Sequence, residues 1–412
     1  MTEDQDAPSP VVTYTADRLI ELSERAESHL EKIRQLSFDP DHEKILRKFS
    51  KGEVCKMLNI ARETLRRRIK EGIFPEGELN QAQNARHYDL GTLHQMMEIE
   101  GVRPSRGNSP RAARVAITNY KGGVGKTSIT LNVAQYFGML GYRVLIVDSD
   151  PQGSSTEYHG IIPDAELEIS DTLAQFYVEG DPATLASAIR TTHWSGVDLL
   201  PANSALSHAE IRLYEQEDFG FFAHLDRGLA AVEDHYDIIF IDTPPSLGFL
   251  TANAVYASDG LVVPIPPEAL DYASSVQYFA TLGAMCNQFP KIVGRTKTFD
   301  FVRILCSRFR TNNNAHQFWL RRIRSSYSDI TMEAVFKETR AVQIGGTQLQ
   351  TIGEIPPSAP IDAGARRDAQ QMLAQVGDEI LRNIQQVWLR LEQGGGASAA
   401  TAVASATAGV EE

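Results

Sequence analysis

The segment Asn119-Tyr120-Lys121-Gly122-Gly123-Val124-Gly125-Lys126-Thr127-Ser128 leaves the chain few ways to fold. A short apolar run, Val115-Ala116-Ile117, precedes it, and apolar side chains recur after it at Ile129, Leu131, Val133, Ala134 and Phe137. Strand, glycine-rich turn and helix in that order make a phosphate cradle, with backbone N–H groups and the positive helix end facing phosphate oxygens. The candidate cradle is Gly122, Gly123, Val124, Gly125, Lys126, Thr127 and Ser128. Lys126 is expected to reach β- and γ-phosphates, and the Thr127 hydroxyl to ligate Mg²⁺.

Further strand ends carry acids. Val144-Leu145-Ile146-Val147 runs into Asp148-Ser149-Asp150-Pro151-Gln152-Gly153, and Ile238-Ile239-Phe240-Ile241 into Asp242-Thr243-Pro244-Pro245. An apolar run closed by a carboxylate predicts a buried parallel strand with its acid at the C-terminal edge, beside the nucleotide. Asp242 fits the magnesium shell of such a site. Leu261–Pro267 and Phe301–Leu305 read as two more strands with a helix over 267–289 between them. Strands alternating with helices predict an α/β, doubly wound, mostly parallel sheet.

The loop departs from the ordinary P-loop because Tyr120 stands where a glycine is usual and Lys121 opens the sequence K-G-G-V-G-K-T. This resembles the deviant Walker A motif of the ParA/MinD/nitrogenase-iron-protein class of ATPases, and D-x-D-P-Q-G at 148–153 resembles the second motif of the ParA family. The likeness covers 114–392. It implies ATP/ADP and Mg²⁺ as ligands and a homodimer in which Lys121 crosses to the partner's nucleotide. By the same likeness Asp150 lies in the first switch and orients the attacking water, Asp148 supports Mg²⁺ through its water shell, and Thr243-Pro244-Pro245 forms the second switch.

Upstream, Leu19, Leu22, Ala26, Leu30 and Ile33 predict an amphipathic helix over about 15–36 within an N-terminal arm, 1–45. Ser50 and Glu53 form a capping box that opens a helix to Leu58, and Arg62–Lys70 makes a second helix closed by Gly72. That spacing predicts a helix-turn-helix, with Arg62, Arg66, Arg67 and Arg68 placed to address phosphates and guanine edges. With Arg86-His87-Tyr88 at the place of a wing, residues 46–100 resemble a MerR-like winged helix, although Ala61 replaces the usual Ser/Thr cap. The Pro-, Gly- and Arg-rich stretch 101–113 reads as a linker to an ATPase domain at 114–393, and the Ala/Ser/Thr tail 394–412 as disordered.

A formal charge of −13 excludes a generally basic surface, so DNA contacts must come from patches. One such patch is the stretch 291–328, with nine Lys/Arg and the single acid Asp300. Lys291, Arg295, Lys297 and Arg303 belong to it; Arg308, Arg310, Arg321, Arg322, Arg324 and also Arg340 are the candidates for non-specific DNA binding. Cys55, Cys286 and Cys306 match no zinc or haem spacing and read as reduced thiols. No run of eighteen apolar residues occurs, and the acidic start is no signal peptide, which predicts a cytoplasmic protein.

The combination resembles a large plasmid-type ParA partition ATPase, similar to RepA-type partition proteins of alphaproteobacterial replicons. That likeness implies an ATP-bound dimer on nucleoid DNA, slow hydrolysis stimulated by a ParB-type centromere-binding partner, and autorepression through specific operator DNA. The alternative is an operator-specific repressor with a regulatory or vestigial ATPase, which the retained Lys121, Asp150 and Asp242 disfavour. A membrane ATPase needs a basic amphipathic C-terminal helix, whereas the stripe Leu373, Val376, Ile380, Ile384, Val387 and Trp388 reads as packing on the core. An iron–sulfur reductase needs cysteines after Asp242, and none occurs before Cys286.

Overall fold

A computed structural model describes residues 15–37, 46–79, 84–215, 221–294, 296–355 and 359–407. Arg295, the tip of the expected wing at 80–83 and the last residues 408–412 of the tail lie outside the described residues. The chain divides into two units, Met1–Ile45 and Leu46–Glu412. In the first, helix α1 spans Ala16–Ser37 and leaves Leu19 and Ile20 more than half exposed.

The second unit begins with a small helical module. Strand β1 (Phe49–Ser50) leads into α2 (Lys51–Met57), whose N-terminus carries both bonds of the Ser50/Glu53 capping box. Asn59, at φ 53°, turns the chain, and α3 (Arg62–Lys70) follows with Leu65 buried against the module. Ala61 caps α3 without a side-chain bond, so one first-turn N–H lacks the partner a Ser or Thr would give. Strands β2 (Glu78–Leu79) and β3 (Arg86–Tyr88) complete a three-stranded antiparallel sheet in the order β1-β3-β2. Helix α4 (Leu90–Glu100), capped by Asp89 and closed by left-handed Gly101, ends the module.

The remainder is built on eight strands: β4 (Ala113–Ile117), β5 (Val144–Asp148), β6 (Arg190–Thr191), β7 (Val197–Leu200), β8 (Ile238–Asp242), β9 (Gly260–Ile265), β10 (Phe301–Phe309) and β11 (Thr331–Lys337). Their order is β11-β10-β9-β4-β8-β5-β7-β6, and every pairing is parallel except β6 with β7. Burial on both faces explains the apolar runs of β5, β8 and β9; β4 is apolar apart from Arg114, whose buried guanidinium pairs with Asp226 and Glu233. The doubly wound sheet expected from the sequence is therefore present. Helix α5 (Lys126–Leu140) packs on one face, where Phe137 stacks on Phe240 at 5.8 Å between centroids. Truncating Phe137 to alanine there would cost about 3–5 kcal/mol.

Residues 101–113, read as a linker, are tied down along their length. Arg103 Nε donates to the Gly141 carbonyl at 2.8 Å; Arg106 Nη1 donates to the carbonyls of Glu233 and Tyr236, both at 2.7 Å. Arg111 grips Asp259 with two guanidinium nitrogens at 2.6 and 2.8 Å. One apolar core runs from Phe49, Leu65, Leu90 and Leu93 of the helical module through Phe137 and Tyr142 to Trp388. The module and the sheet are thus packed as one body. The C-terminal helix covers Ala363–Thr407, burying Val376, Ile380, Ile384 and Val387 on the core and donating Trp388 Nε1 to the Asp237 carbonyl at 3.3 Å. Residues 394–407, expected to be disordered, continue this helix. No helix among the described residues is long and apolar enough to cross a membrane.

Candidate functional site

The site lies where β4, β5 and β8 end side by side. The loop after β4 takes left-handed backbone at Gly123 (φ 72°) and Gly125 (φ 94°), which a side chain would resist. Gly125 is the N-cap of α5, so the free N–H groups of the first helical turn point into the loop. Lys126 opens that turn and is buried, with Nζ donating to the Lys121 carbonyl at 3.3 Å. Burial lowers its pKa, while Asp242 and Asp150 pull the other way.

Asp148 and Asp242 are register partners at the ends of β5 and β8, and both are fully buried. Burial pushes both carboxyls up. Asp242 repels Asp148 further, whereas Thr127 and Ser155 hydroxyls and the Lys126 ammonium favour ionised Asp242. Ser155 Oγ donates to Asp242 Oδ2 at 2.9 Å, and Thr130 Oγ1 to Oδ1 at 3.4 Å. Asp148 Oδ2 accepts from the Thr156 backbone N–H and hydroxyl, each at 2.8 Å, and Oδ1 accepts from the Asp150 N–H at 3.2 Å. Asp148 therefore organises the loop that carries Asp150. Asp150 is 9% exposed and accepts from the Gln152 N–H at 3.0 Å.

Two carboxylates, Asp242 and Asp150, act on the buried Lys126 ammonium, beside an array of hydroxyls and backbone N–H groups. Hard oxygen donors with excess negative charge fit Mg²⁺ carried on a phosphate chain, which keeps several water ligands and needs few from protein. Among the described residues no three His, Cys, Asp or Glu side chains cluster into a complete protein cage for a metal ion.

Lys121 Nζ pairs with Asp271 Oδ1 at 2.7 Å. Asp271 stands in the first turn of helix Ala269–Cys286, and Lys121 is 35% exposed against 10% for its partner. Sequence reasoning missed Asp271, as it missed Ser155, Thr130 and Thr156. The Ser154-Ser155-Thr156 turn after Gly153 was the available signal for Ser155 and Thr156; for Asp271 there was none.

The arginines proposed for DNA fall into different surroundings. On α3, Arg62, Arg66 and Arg67 are exposed, with Arg66 near Glu63 at 3.3 Å. Arg68 instead bonds Glu100 at 3.1 Å and lies over the Phe74 ring, which ties α3 to α4 and its flank. In the basic stretch, Arg310 and Arg308 share Glu338, and Arg324 donates to the Glu333 carbonyl at 2.8 Å. Arg321 and Arg322 are exposed on helix Asn314–Ser326, with no carboxylate bridge among the described residues; Arg322 covers the Phe318 ring.

Module and phosphate loop meet through α5. His94, buried on α4, donates Nε2–H to the Gly138 carbonyl of α5 at 2.8 Å, leaving Nδ1 to accept from Ser195 Oγ at 3.1 Å. Burial, reinforced by nearby Arg103, lowers its pKa to about 4, so the ring is neutral. The three cysteines are free thiols.

A family model described as an AAA domain (AAA_31) matches residues 112–291. The chain is 31% identical over 360 residues to protein SopA of Escherichia coli (strain K12), covering 84% of this chain and 91% of that protein. It is 43% identical over 155 residues to the sporulation initiation inhibitor protein Soj of Bacillus subtilis, 37% of this chain and 58% of Soj. A solved structure titled "Partition Protein" superposes with a TM-score of 0.65 at 22% identity, over 89% of this chain and 98% of that one.

Proposed function

The chain belongs to the ParA family of partition ATPases, and on that premise we propose that it is an ATP-driven switch for segregating replicon DNA. The observation that carries the reading is the meeting, at one sheet edge, of the glycine loop, Lys126, Asp150 and Asp242, with Lys121 held at the rim. ATP with Mg²⁺ would supply the γ-phosphoryl group transferred to water. Lys126, the loop N–H groups and Ser128 would bind the phosphates; Thr127 and Asp242 would hold the metal ion, and Asp148 would fix the loop around it. Asp150 would orient the attacking water. Such positioning is most of what a protein contributes to phosphoryl transfer.

Lys121 would act between copies. Released from Asp271, its ammonium can reach a second chain's phosphates, so ATP favours a homodimer in which each chain completes the other's site. The exposed Arg321 and Arg322, on two chains at once, would hold nucleoid DNA by phosphate contacts alone. A ParB-type partner would speed hydrolysis and release the dimer. Arg62, Arg66 and Arg67 on α3 would separately read operator DNA, in a winged helix-turn-helix at 46–100, and repress the partition genes.

The test is binding to random-sequence duplex DNA at two salt concentrations with ATP, ADP or no nucleotide. ATP-dependent, salt-sensitive binding lost in Arg321→Ala/Arg322→Ala supports the switch. Binding confined to one operator sequence whatever the nucleotide would make the protein chiefly a repressor.

A further inference from the structure

Arg308 is the eighth of nine residues in β10, yet its backbone is left-handed at φ 51°. A non-glycine residue held there costs on the order of 1–3 kcal/mol, and such strain persists where the surroundings impose it. The cause is visible in the sheet. Pairing of β10 with β11 shifts register between Cys306 and Phe309, so the strand bulges and the residue between Ser307 and Phe309 is turned out of the sheet. Its side chain is redirected to the phosphate loop, where Nη1 donates to the Gly123 carbonyl at 3.3 Å.

The same place holds a cleft of about 320 Å³, lined among others by Gly123, Gly125, Ser128, Ser307 and Phe336. Ser307 is fully buried, and its Oγ has no hydrogen-bond partner in the protein. Glu338 borders the cleft, 3.6 Å from Arg308 Nη2, and also binds Arg310. A half-exposed guanidinium resting on a neutral carbonyl and a carboxylate shared with another arginine is poorly matched. A phosphate oxygen is a far stronger partner for it.

We propose that Arg308 serves the nucleotide and not the DNA surface: it supplies a second positive charge at the side wall of the phosphate loop, and Glu338 holds it back until nucleotide enters. The inference rests on the reading of residues 122–128 as the nucleotide site. It takes Arg308 out of the DNA-binding set in which its place in a basic stretch had put it.

Fluorescent ADP and ATP analogues should be titrated into the full chain and into Arg308→Gly, Glu338→Gln and the double variant. Glycine relaxes the left-handed backbone, so that variant loses the side chain without a folding penalty. Arg308→Gly should weaken both nucleotides about tenfold, the loss of one charge-assisted contact. At saturating nucleotide its affinity for random DNA should be unchanged. Glu338→Gln should tighten nucleotide binding severalfold, and the double variant should follow Arg308→Gly. An ion pair that merely braces the fold would make Glu338→Gln and Arg308→Gly weaken binding alike, and that result overturns the proposal. So would unchanged nucleotide affinity in Arg308→Gly, or loss of DNA binding by it at saturating nucleotide. Lys126→Ala is the separate control: undiminished nucleotide binding in that variant would mean that the loop itself is misread.

Discussion

Acidifying the solution from pH 7.5 to pH 5 should loosen the seat of the helical module on α5. His94 is the sensor, because its pKa is about 4 in the folded chain against an ordinary 6.5. A folded pKa below the unfolded value means that the unfolded chain binds the proton more readily between those two values. The contribution of neutral His94 is therefore complete above about pH 6.5 and lost as pH falls toward 4. Linkage gives ~2 kcal/mol lost at pH 5, and about 3 kcal/mol at pH 4. Urea unfolding at several pH values, compared with His94→Gln, isolates this share: glutamine can still donate to Gly138 but does not titrate. The stability difference between the two proteins should shift by ~2 kcal/mol against the wild type between pH 7.5 and 5. Proteolysis within 101–111 should rise in step. Identical pH profiles for wild type and His94→Gln would refute the reasoning, because no other group differs between them.

Other expectations concern the site and the DNA faces. Asp150→Ala should leave ATP bound and unhydrolysed, and turnover at the wild-type rate would remove Asp150 as the water-orienting group. Asp271→Asn frees Lys121 from a partly buried ion pair worth ~1 kcal/mol, and a dimer contains two, so ATP-dependent dimerisation should tighten roughly thirtyfold by sedimentation. Weaker or unchanged assembly would show that the pair does not restrain the lysine. Arg66→Ala should reduce operator affinity at unchanged thermal stability. Arg68→Ala should instead lower the melting temperature of the chain, since its guanidinium bridges to Glu100 and covers Phe74.

Much of this architecture could be read from the residues because its determinants are local. The glycines, Lys126 and the acids Asp148 and Asp242 sit at strand ends whose apolar runs mark them. The capping box of α2 is likewise complete within four residues. What escaped depends on partners distant in sequence. Lys121 and Asp271 are 150 residues apart, and Arg111 lies 148 from Asp259, so the arginines of 101–113 had the composition of a solvated linker. The bulge that redirects Arg308 arises from pairing with β11, a strand that was not foreseen at all. Arg68 illustrates the same limit within the small module: five basic residues on one short helix look alike until Glu100 and Phe74 select one of them.

The pinning of residues 101–113 bears on the operator reading proposed for α3. A freely tethered reading head tolerates half-sites at many separations, because the tether absorbs the difference. Here Arg103, Arg106 and Arg111 remove that slack, and each α3 is carried at a set distance from its own ATPase face. The dimer proposed above, joined through those faces, would be a caliper with one opening. Inserting five base pairs between operator half-sites would place them on opposite sides of the duplex and abolish paired binding; inserting a full helical turn would restore the side but overreach the span.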